Sequence, residues 1–312
     1  MPEPAALLAL MADAAIGWPA WLYRRIGHPV GLFARIVDGC ELRWNRADRL
    51  ETRRRLAGVA TVALLLLLAI GGGLALTRAA RWLLGPWAWA GIGLLAFPAL
   101  AQRSLDDHVR PVAIALRTGD ILRARNEAGR IVGRDTAALD EAGVGRAAIE
   151  SLAESFCDGV VAPLFWMLVA GLPGIWAYKA LNTADSLIGH REERWRAFGW
   201  AAARADDVAN LIPARLAGAL ICLCGGGGWR VMWRDAGKHA SPNAGWPEAA
   251  MAGALGLRLA GPVAYDGVMH DKPWIGNGAN PADAARVEHA LAIYRRACLC
   301  LWVIAGGAAW AP

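Results

Sequence analysis

Charge is absent from two stretches of this chain, residues 57–76 and 82–101. Each is about twenty residues long, the length a helix needs to cross the hydrocarbon core of a bilayer, so a purely soluble domain is excluded. The common nucleotide and hydrolase signatures are missing too. The chain has no G-x-x-x-x-G-K-[ST] loop, no H-E-x-x-H, no G-x-S-x-G and no G-x-G-x-x-G after a strand. That removes the Walker-type, zincin, serine-hydrolase and dinucleotide-binding readings. His28, His108, His190, His239, His270 and His289 are scattered, and none forms a metal pair at helical spacing. Cysteine is scarce, 6 in 312 residues. Cys222/Cys224 and Cys298/Cys300 are spaced C-x-C inside apolar segments, and residues two apart do not share a helix face. Neither a zinc site nor a disulfide framework follows, and the six read as small packing residues in a reducing compartment. No internal repeat and no low-complexity linker is visible.

Apolar residues are plentiful, at 56% of the chain. The mean hydropathy is +0.31. The expected spans lie near residues 7–22, 57–76, 82–101, 160–178, 208–226 and 291–310 of a single domain covering residues 1–312. The first is the weakest, because Asp13 and Pro19 interrupt it, and it does not read as a signal peptide. The fold class is therefore all-α: a polytopic integral membrane protein with amphipathic and re-entrant helices. Arg24, Arg25, Arg35, Arg43, Arg46, Arg49, Arg53, Arg54 and Arg55 crowd the first long loop, which the positive-inside rule places in the cytoplasm. A turn at residues 77–81 then faces out, and the polar stretch from Gln102 faces in. Residues 160–177 contain Pro163 and the breaker Gly171-Leu172-Pro173-Gly174. A re-entrant hairpin is favoured there over a kinked crossing, which would put Arg191, Arg194, Arg196 and Arg204 outside. The net charge of +6 accompanies arginines beside apolar spans, and the 16 tryptophans flank apolar runs. Both patterns suit a membrane interface and argue against nucleic acid as a partner.

Residues 102–133 read as amphipathic, broken helices, with Pro111 limiting one of them. Asp135 or Thr136 is the expected N-cap of the next helix, with Asp140 and Glu141 near its positive end. Arg146, Glu150, Glu154 and Asp158 follow at intervals of four and form one stripe on a helix. Three carboxylates in a row repel unless a cation sits among them, so the stripe is either a Mg²⁺-binding row beside Arg146 or a solvated face. Lys179, Asn182 and Ser186 share a face, with Asp185 on its edge; a snorkelling interfacial lysine is the alternative. Asp206, Asp207 and Asn210 converge just before an apolar run that carries Arg215, and generic salt bridging competes with an oxygen-ligand site. Lys238, His239, Ser241, Asn243 and Glu248 lie in a loop where Pro247 is placed to open a helix, so its backbone N–H groups could face an anion. A purely structural turn is the other reading.

The segments IVGRDTAALDEAGVGRAAIESLAE, DGVVAPLFW, AYKALNTADSLIGHREERWRAFGWAAARADDVANLIPARL and KHASPNAGWPEAAMAGALG resemble the adenosylcobinamide-phosphate synthases of cobalamin biosynthesis. HPVGLFARIVDGCE and KPWIG match as well, so the likeness runs from about Leu7 to Gly276. It implies a multi-pass protein of the bacterial cytoplasmic (inner) membrane. The implied reaction joins aminopropanol, or its O-phosphate, to the free propionate of adenosylcobyric acid as an amide, with ATP and Mg²⁺. The family's motifs fall on Asp135, Asp140, Glu141, Glu150, Glu154, Asp158, Lys179, Asn182, Asp185, Ser186, Arg204, Asp206, Asp207, Asn210, Arg215, Lys238, His239, Ser241, Asn243 and Glu248. Ser155-Phe156 stands where an Asn-Thr pair is expected, and Gly17-Trp18-Pro19 where Gly-Asp-Pro is usual.

On that resemblance, Glu150, Glu154, Lys179, Asp185 and His239 are the catalytic candidates. Asn182, Ser186, Arg204, Asn210, Arg215, Lys238, Ser241, Asn243 and Glu248 are the substrate- and phosphate-binding candidates. Asp158, Asp206 and Asp207 are the metal candidates, with Glu150 and Glu154 as further carboxylates for the same ion. His239 or a nearby carboxylate takes the proton of the attacking amine. A corrinoid transporter and a membrane scaffold for other cobalamin-biosynthesis enzymes are the two competing classes. The first predicts a solute path, the second tolerance of acidic-residue replacement.

Overall fold

A computed structural model describes residues 4–133, 135–190, 192–265 and 268–310. Arg134 and Arg191 lie outside them. Helix makes up 78% of the structure. In chain order the helices are α1 (Ala5–Ile16), α2 (Ala20–Ile26), α3 (Val30–Trp44), α4 (Glu51–Leu84), α5 (Ala88–Ala96), α6 (Gln102–Arg117), α7 (Ile121–Ala128) and α8 (Glu141–Phe156). They continue as α9 (Ala162–Ile188), α10 (Glu193–Arg196), α11 (Trp200–Ala209), α12 (Leu211–Gly225), α13 (Trp229–Asp235), α14 (Gly245–Leu255) and α15 (Ala284–Trp310). Between α14 and α15 run four short strands, β1 (Leu259–Ala260), β2 (Val263–Tyr265), β3 (Val268–His270) and β4 (Trp274–Ile275). β1 pairs antiparallel with β4, with Leu259 opposite Ile275, and β2 pairs antiparallel with β3. These strands were not anticipated, because two or three residues are too few to show an alternating pattern.

Among the described residues three helical stretches are long and apolar enough to cross a membrane: Glu51–Arg117, Glu141–Ile188 and Ala284–Ala309. The count rises to 5 if the bent pairs Ala5–Ile16 with Ala20–Trp44 and Trp200–Ala209 with Leu211–Gly225 are each one span. On α4 the apolar side chains Leu67 and Leu68 are 70% and 45% exposed, as lipid-facing residues should be.

The chain divides into two compact units. The first comprises Met1–Ala101, Ala162–Asn210 and Ile304–Pro312, and the second Gln102–Val161 and Leu211–Val303. In the first unit α4 packs along α9 and α5, α1 packs on α5, and α3 and α11 pack on α9. Tyr178, Phe198, Leu65 and Ile175 are fully buried there. In the second unit α14 is the hub, contacting α8, α12 and α13, while α6 and α7 lie against α8. Val109, Val112, Ala113 and Leu116 line the buried stripe of α6 at helical spacing.

Several local expectations are corrected. The 77–81 turn is helical, because Thr77 Oγ1 donates to Gly73 O (2.7 Å) and α4 runs on to Leu84. The chain turns instead at the Gly85–Trp87 3₁₀ turn, where Gly85 has φ 51° and Pro86 cannot continue the ladder. Residues 82–101 are consequently not one helix but the end of α4, this turn, the short α5 and a second 3₁₀ turn at Phe97–Ala99. Pro111 does not limit α6, which runs through it from Gln102 to Arg117. The N-cap of α8 is Asp140, whose Oδ1 accepts from Gly143 N at 2.7 Å. Asp135 instead accepts from Ala137 N, and Thr136 donates to Arg125 O. α9 is broken at Gly171 (φ 64°, ψ −151°), two residues before Pro173.

Candidate functional site

In the first unit the acidic and amide candidates sit on α9 and α11. α11 ends at Ala209 and α12 starts at Leu211, so Asn210 occupies the bend between them. Its Nδ2 donates to Asp206 Oδ2 at 2.9 Å, as their spacing of four requires, and its Oδ1 accepts from the Tyr178 hydroxyl at 3.1 Å. Tyr178, Asp206 and Asn210 are all buried. Buried amide and carboxylate groups keep a fixed orientation only when hydrogen-bonded in this way. Asp207, half-buried, pairs with Arg204 at 3.3 Å. One turn along α9, Lys179 Nζ donates to Asn182 Oδ1 (3.2 Å) and Ser186 Oγ donates to Asn182 O (2.8 Å), so the predicted shared face exists. Asp185 is half-buried beside them.

In the second unit α8 carries Glu150 and Glu154. The helix gives way to a π-turn at Cys157–Val161, so four-residue spacing no longer guarantees that Asp158 stays in the row. Arg146 lies over the Trp274 ring at 5.6 Å rather than completing the stripe as its counter-charge. Glu150 Oε1 accepts from Ala260 N at 2.7 Å and thereby ties α8 to β1. Ala260 has φ 57°, a costly conformation for a residue with a Cβ, and this tether helps hold it. Glu154 is exposed and Asp158 half-buried.

The loop between α13 and α14 gathers most of the remaining candidates. Arg215, which needed a partner inside an apolar run, finds three: Leu211 O at 2.7 Å, Asn243 Oδ1 at 3.0 Å and the Trp246 ring at 4.6 Å. Ser241 Oγ accepts from Asn243 N and Ala244 N at 3.2 and 3.3 Å. Those N–H groups are thus used within the loop, which corrects the expectation that they face an anion. His239 Nδ1 accepts from Ser241 N at 3.0 Å, and its Nε2 points at Glu248 Oε1, 3.7 Å away. With Nδ1 held as an acceptor, a neutral His239 carries its proton on Nε2 and has no lone pair left for an amine proton. Burial lowers the His239 pKa, with a smaller push from Lys272, so the ring is neutral at neutral pH.

Asp235 was not among the sequence candidates, yet it organises this loop. It is fully buried. Its oxygens accept from Arg234 Nε and Nη2 (2.8 and 2.7 Å), from Lys238 Nζ (2.8 Å) and from Gly276 N (2.8 Å). The Arg234 hydrogen bonds, then Lys238 and the Gly276 N–H, hold its carboxyl well below the usual carboxylate range despite burial. Lys238 also donates to Trp274 O at 3.2 Å, so its ammonium is positioned rather than loose. The signal available in sequence was a lone acid with cations one residue before and three residues after it.

Magnesium takes one or two carboxylates and completes its shell with water and phosphate oxygens. Asn210, expected to bring an oxygen to Asp206 and Asp207, instead gives its Oδ1 to Tyr178 and turns its Nδ2 to Asp206, which leaves the two carboxylates as the oxygen candidates. Among the described residues no three His, Cys, Asp or Glu side chains converge as a closed metal cage.

These features meet in one known grouping, since the model of the family described as CobD/Cbib protein matches residues 6–294. The chain belongs to the CobD/Cbib family. It is similar to the "Cobalamin biosynthesis protein CobD" of Rhodobacter capsulatus, 50% identical over 310 residues covering 96% of this chain and 95% of that protein. Proteins of the same name from a Sinorhizobium species and from Rhizobium meliloti are 48% and 45% identical, covering 93% and 94% of this chain and 93% and 92% of their own. No solved structure matches the chain. CobD/Cbib membership spans both compact units, so all the site residues described above fall inside the matched region.

Proposed function

We propose that this member of a cobalamin-biosynthesis family is a membrane-embedded ligase. It joins aminopropanol, or its O-phosphate, to the free propionate of adenosylcobyric acid through an amide bond, at the bacterial inner membrane. The observation that carries the reading is the buried Tyr178–Asn210–Asp206 chain, an oxygen-rich group held rigid at the end of α11, where the apolar α12 begins. Polar groups at that depth are expensive and mark a site more often than a surface.

A carboxylate is a poor electrophile, and bound Mg²⁺-ATP supplies the phosphoryl group that activates it. Asp206 and Asp207 are the residues to hold the magnesium. Lys179, fixed by its hydrogen bond to Asn182, is the cation to neutralise phosphate charge. Asp185, half-buried on the same helix as Lys179, is the carboxylate to accept the amine proton as the amine nitrogen bonds to the acyl carbon and the acyl C–O bond breaks, releasing phosphate. Catalysis on this reading consists of positioning and charge neutralisation.

The test is a ligation assay on purified protein in nanodiscs with adenosylcobyric acid, ATP, Mg²⁺ and aminopropanol phosphate. Mass spectrometry should show the corrinoid gaining the mass of an amide adduct as ATP is consumed. Folded, lipid-bound protein that makes no product would reject the reading. One observation favours the transport class instead, the broken helix α9 at Gly171. Uptake of labelled corrinoid into vesicles without ligation would establish that alternative.

A further inference from the structure

We propose that the first unit holds an anionic phospholipid at the end of α4 opposite the arginine-rich loop, with its phosphate on Arg81 and an acyl chain in the cavity beside it. The cavity measures about 520 Å³ and is lined by α1, α4, α5, α9 and the last turns of α15. That volume lies within the range of small-molecule pockets, about 300–1,000 Å³. Leu74, Ile92, Met167, Leu172 and Ala308 make its walls apolar, and Arg81 with Thr77 makes one edge polar. A second cavity in the same unit, about 530 Å³ and bounded by residues such as Leu66, Ile70, Leu181 and Val208, has no charged side chain in its lining. The first alone has the shape of an amphiphile: apolar length with a cation at the rim.

The position of Arg81 supports that occupant. Arg55, near the start of α4, and Arg81, near its end, are about 39 Å apart along the helix at 1.5 Å per residue. That distance is close to the thickness of a bilayer with its headgroup regions, about 40–45 Å. Arg81 therefore stands at headgroup level on the far side. Trp82 and Trp87, 84% and 67% exposed, mark the same level in the manner of interfacial tryptophans. Cations are disfavoured on the side away from the arginine-rich loop, so Arg81 calls for an anion to explain it. Its carbonyl accepts the Gly85 N–H, but among the described residues its guanidinium has no hydrogen bond or ion pair. Basic pockets between membrane helices take lipid headgroups by this chemistry.

The full chain, purified in detergent, would be mixed with phosphatidylglycerol or phosphatidylcholine and read by native mass spectrometry. Phosphatidylglycerol should stay bound at collision energies that strip phosphatidylcholine. Arg81→Gln should lower its retention about tenfold, and Ala308→Trp, which fills the cavity, should lower it as well. Arg78→Gln, an exposed cation on the same helix end that does not line the cavity, should change nothing. Arg81 is itself exposed, so its replacement does not threaten folding. Equal retention of the two lipids, equal effects of Arg78→Gln and Arg81→Gln, or no lipid adduct on folded protein would each overturn the proposal.

Discussion

The two units hold their candidate residues by different means. In the first, Asp206, Asn210, Lys179, Asn182 and Ser186 are carried on helices and bonded mostly to residues three or four positions away. In the second, Lys238, His239, Ser241 and Asn243 lie between α13 and α14, bonded to one another and to Asp235 nearby and tied to distant segments, where Arg215 reaches Asn243, Lys238 reaches Trp274 and Asp235 reaches Gly276. Helix-borne groups inherit their geometry from backbone repeat, so losing one side chain leaves the rest in place. Loop-borne groups have no such scaffold and depend on one buried carboxylate.

The sharpest way to break this comparison is at Asp235. Asp235→Ala leaves Arg234 and Lys238, 42% and 40% exposed, to be solvated, but strands the buried Gly276 N–H, which costs about 1–3 kcal/mol. The expected result is a fall in apparent Tm together with loss of ligation, measured by thermal unfolding in detergent and by product mass. Asp206→Asn, in the helix-borne set, should behave oppositely. The amide is isosteric and α11 persists, so Tm should change little, while ligation falls about 100-fold as for loss of a metal-holding or metal-orienting group. If both variants lose stability to the same degree, the distinction between the two modes of support fails.

The same distinction explains how much was legible in the sequence. The spacing of four between Asp206 and Asn210 and of three between Lys179 and Asn182 could be converted directly into contacts, because a helix fixes them. Membrane-spanning character was legible in the charge-free runs. Tyr178 was not nominated, since a tyrosine in an apolar run reads as core and its partner Asn210 lies 32 residues away. Asp235 was missed for the same reason, with its Gly276 partner 41 residues on. Local breakers misled in both directions: Pro111 is absorbed within α6, whereas the quiet Gly85–Trp87 stretch is where the chain turns. A proline removes one hydrogen bond, and packing of the stripe at Val109, Val112 and Leu116 outweighs that loss.

Smaller effects sharpen the comparison inside the loop. Arg215 bonds Asn243 through its planar guanidinium and stacks on Trp246, and a lysine can reproduce neither geometry. Arg215→Lys should therefore cost about 1 kcal/mol while keeping the charge. A double-mutant cycle with Trp246→Leu should show a coupling that vanishes once lysine is present. Independent, additive effects would mean the stack is incidental.

The smallest expected effect is a pH slope that His239 shares with His28, whose pKa burial and then Lys179 also lower. Burial holds the folded pKa of His239 below the ordinary value of 6.5. Between the two values the unfolded chain binds the extra proton and the folded protein does not, so stability rises with pH in that window. The contribution is complete above pH 6.5 and is lost as pH falls through the folded pKa. Asp235, also lowered from its ordinary value of 3.8, contributes a slope of the same sign but only in strong acid. It is silent between pH 5.5 and 7.5, so it separates cleanly from the two histidines. His239→Gln should flatten the Tm slope across that interval by about 2 °C, the scale of a sub-kcal/mol change in a chain of this size. Because Nδ1 serves Ser241 as an acceptor, protonation also breaks that bond and loosens the loop. A wild-type slope that survives His239→Gln unchanged would mean that His28 carries it and that the His239–Ser241 bond does not tie the loop to pH.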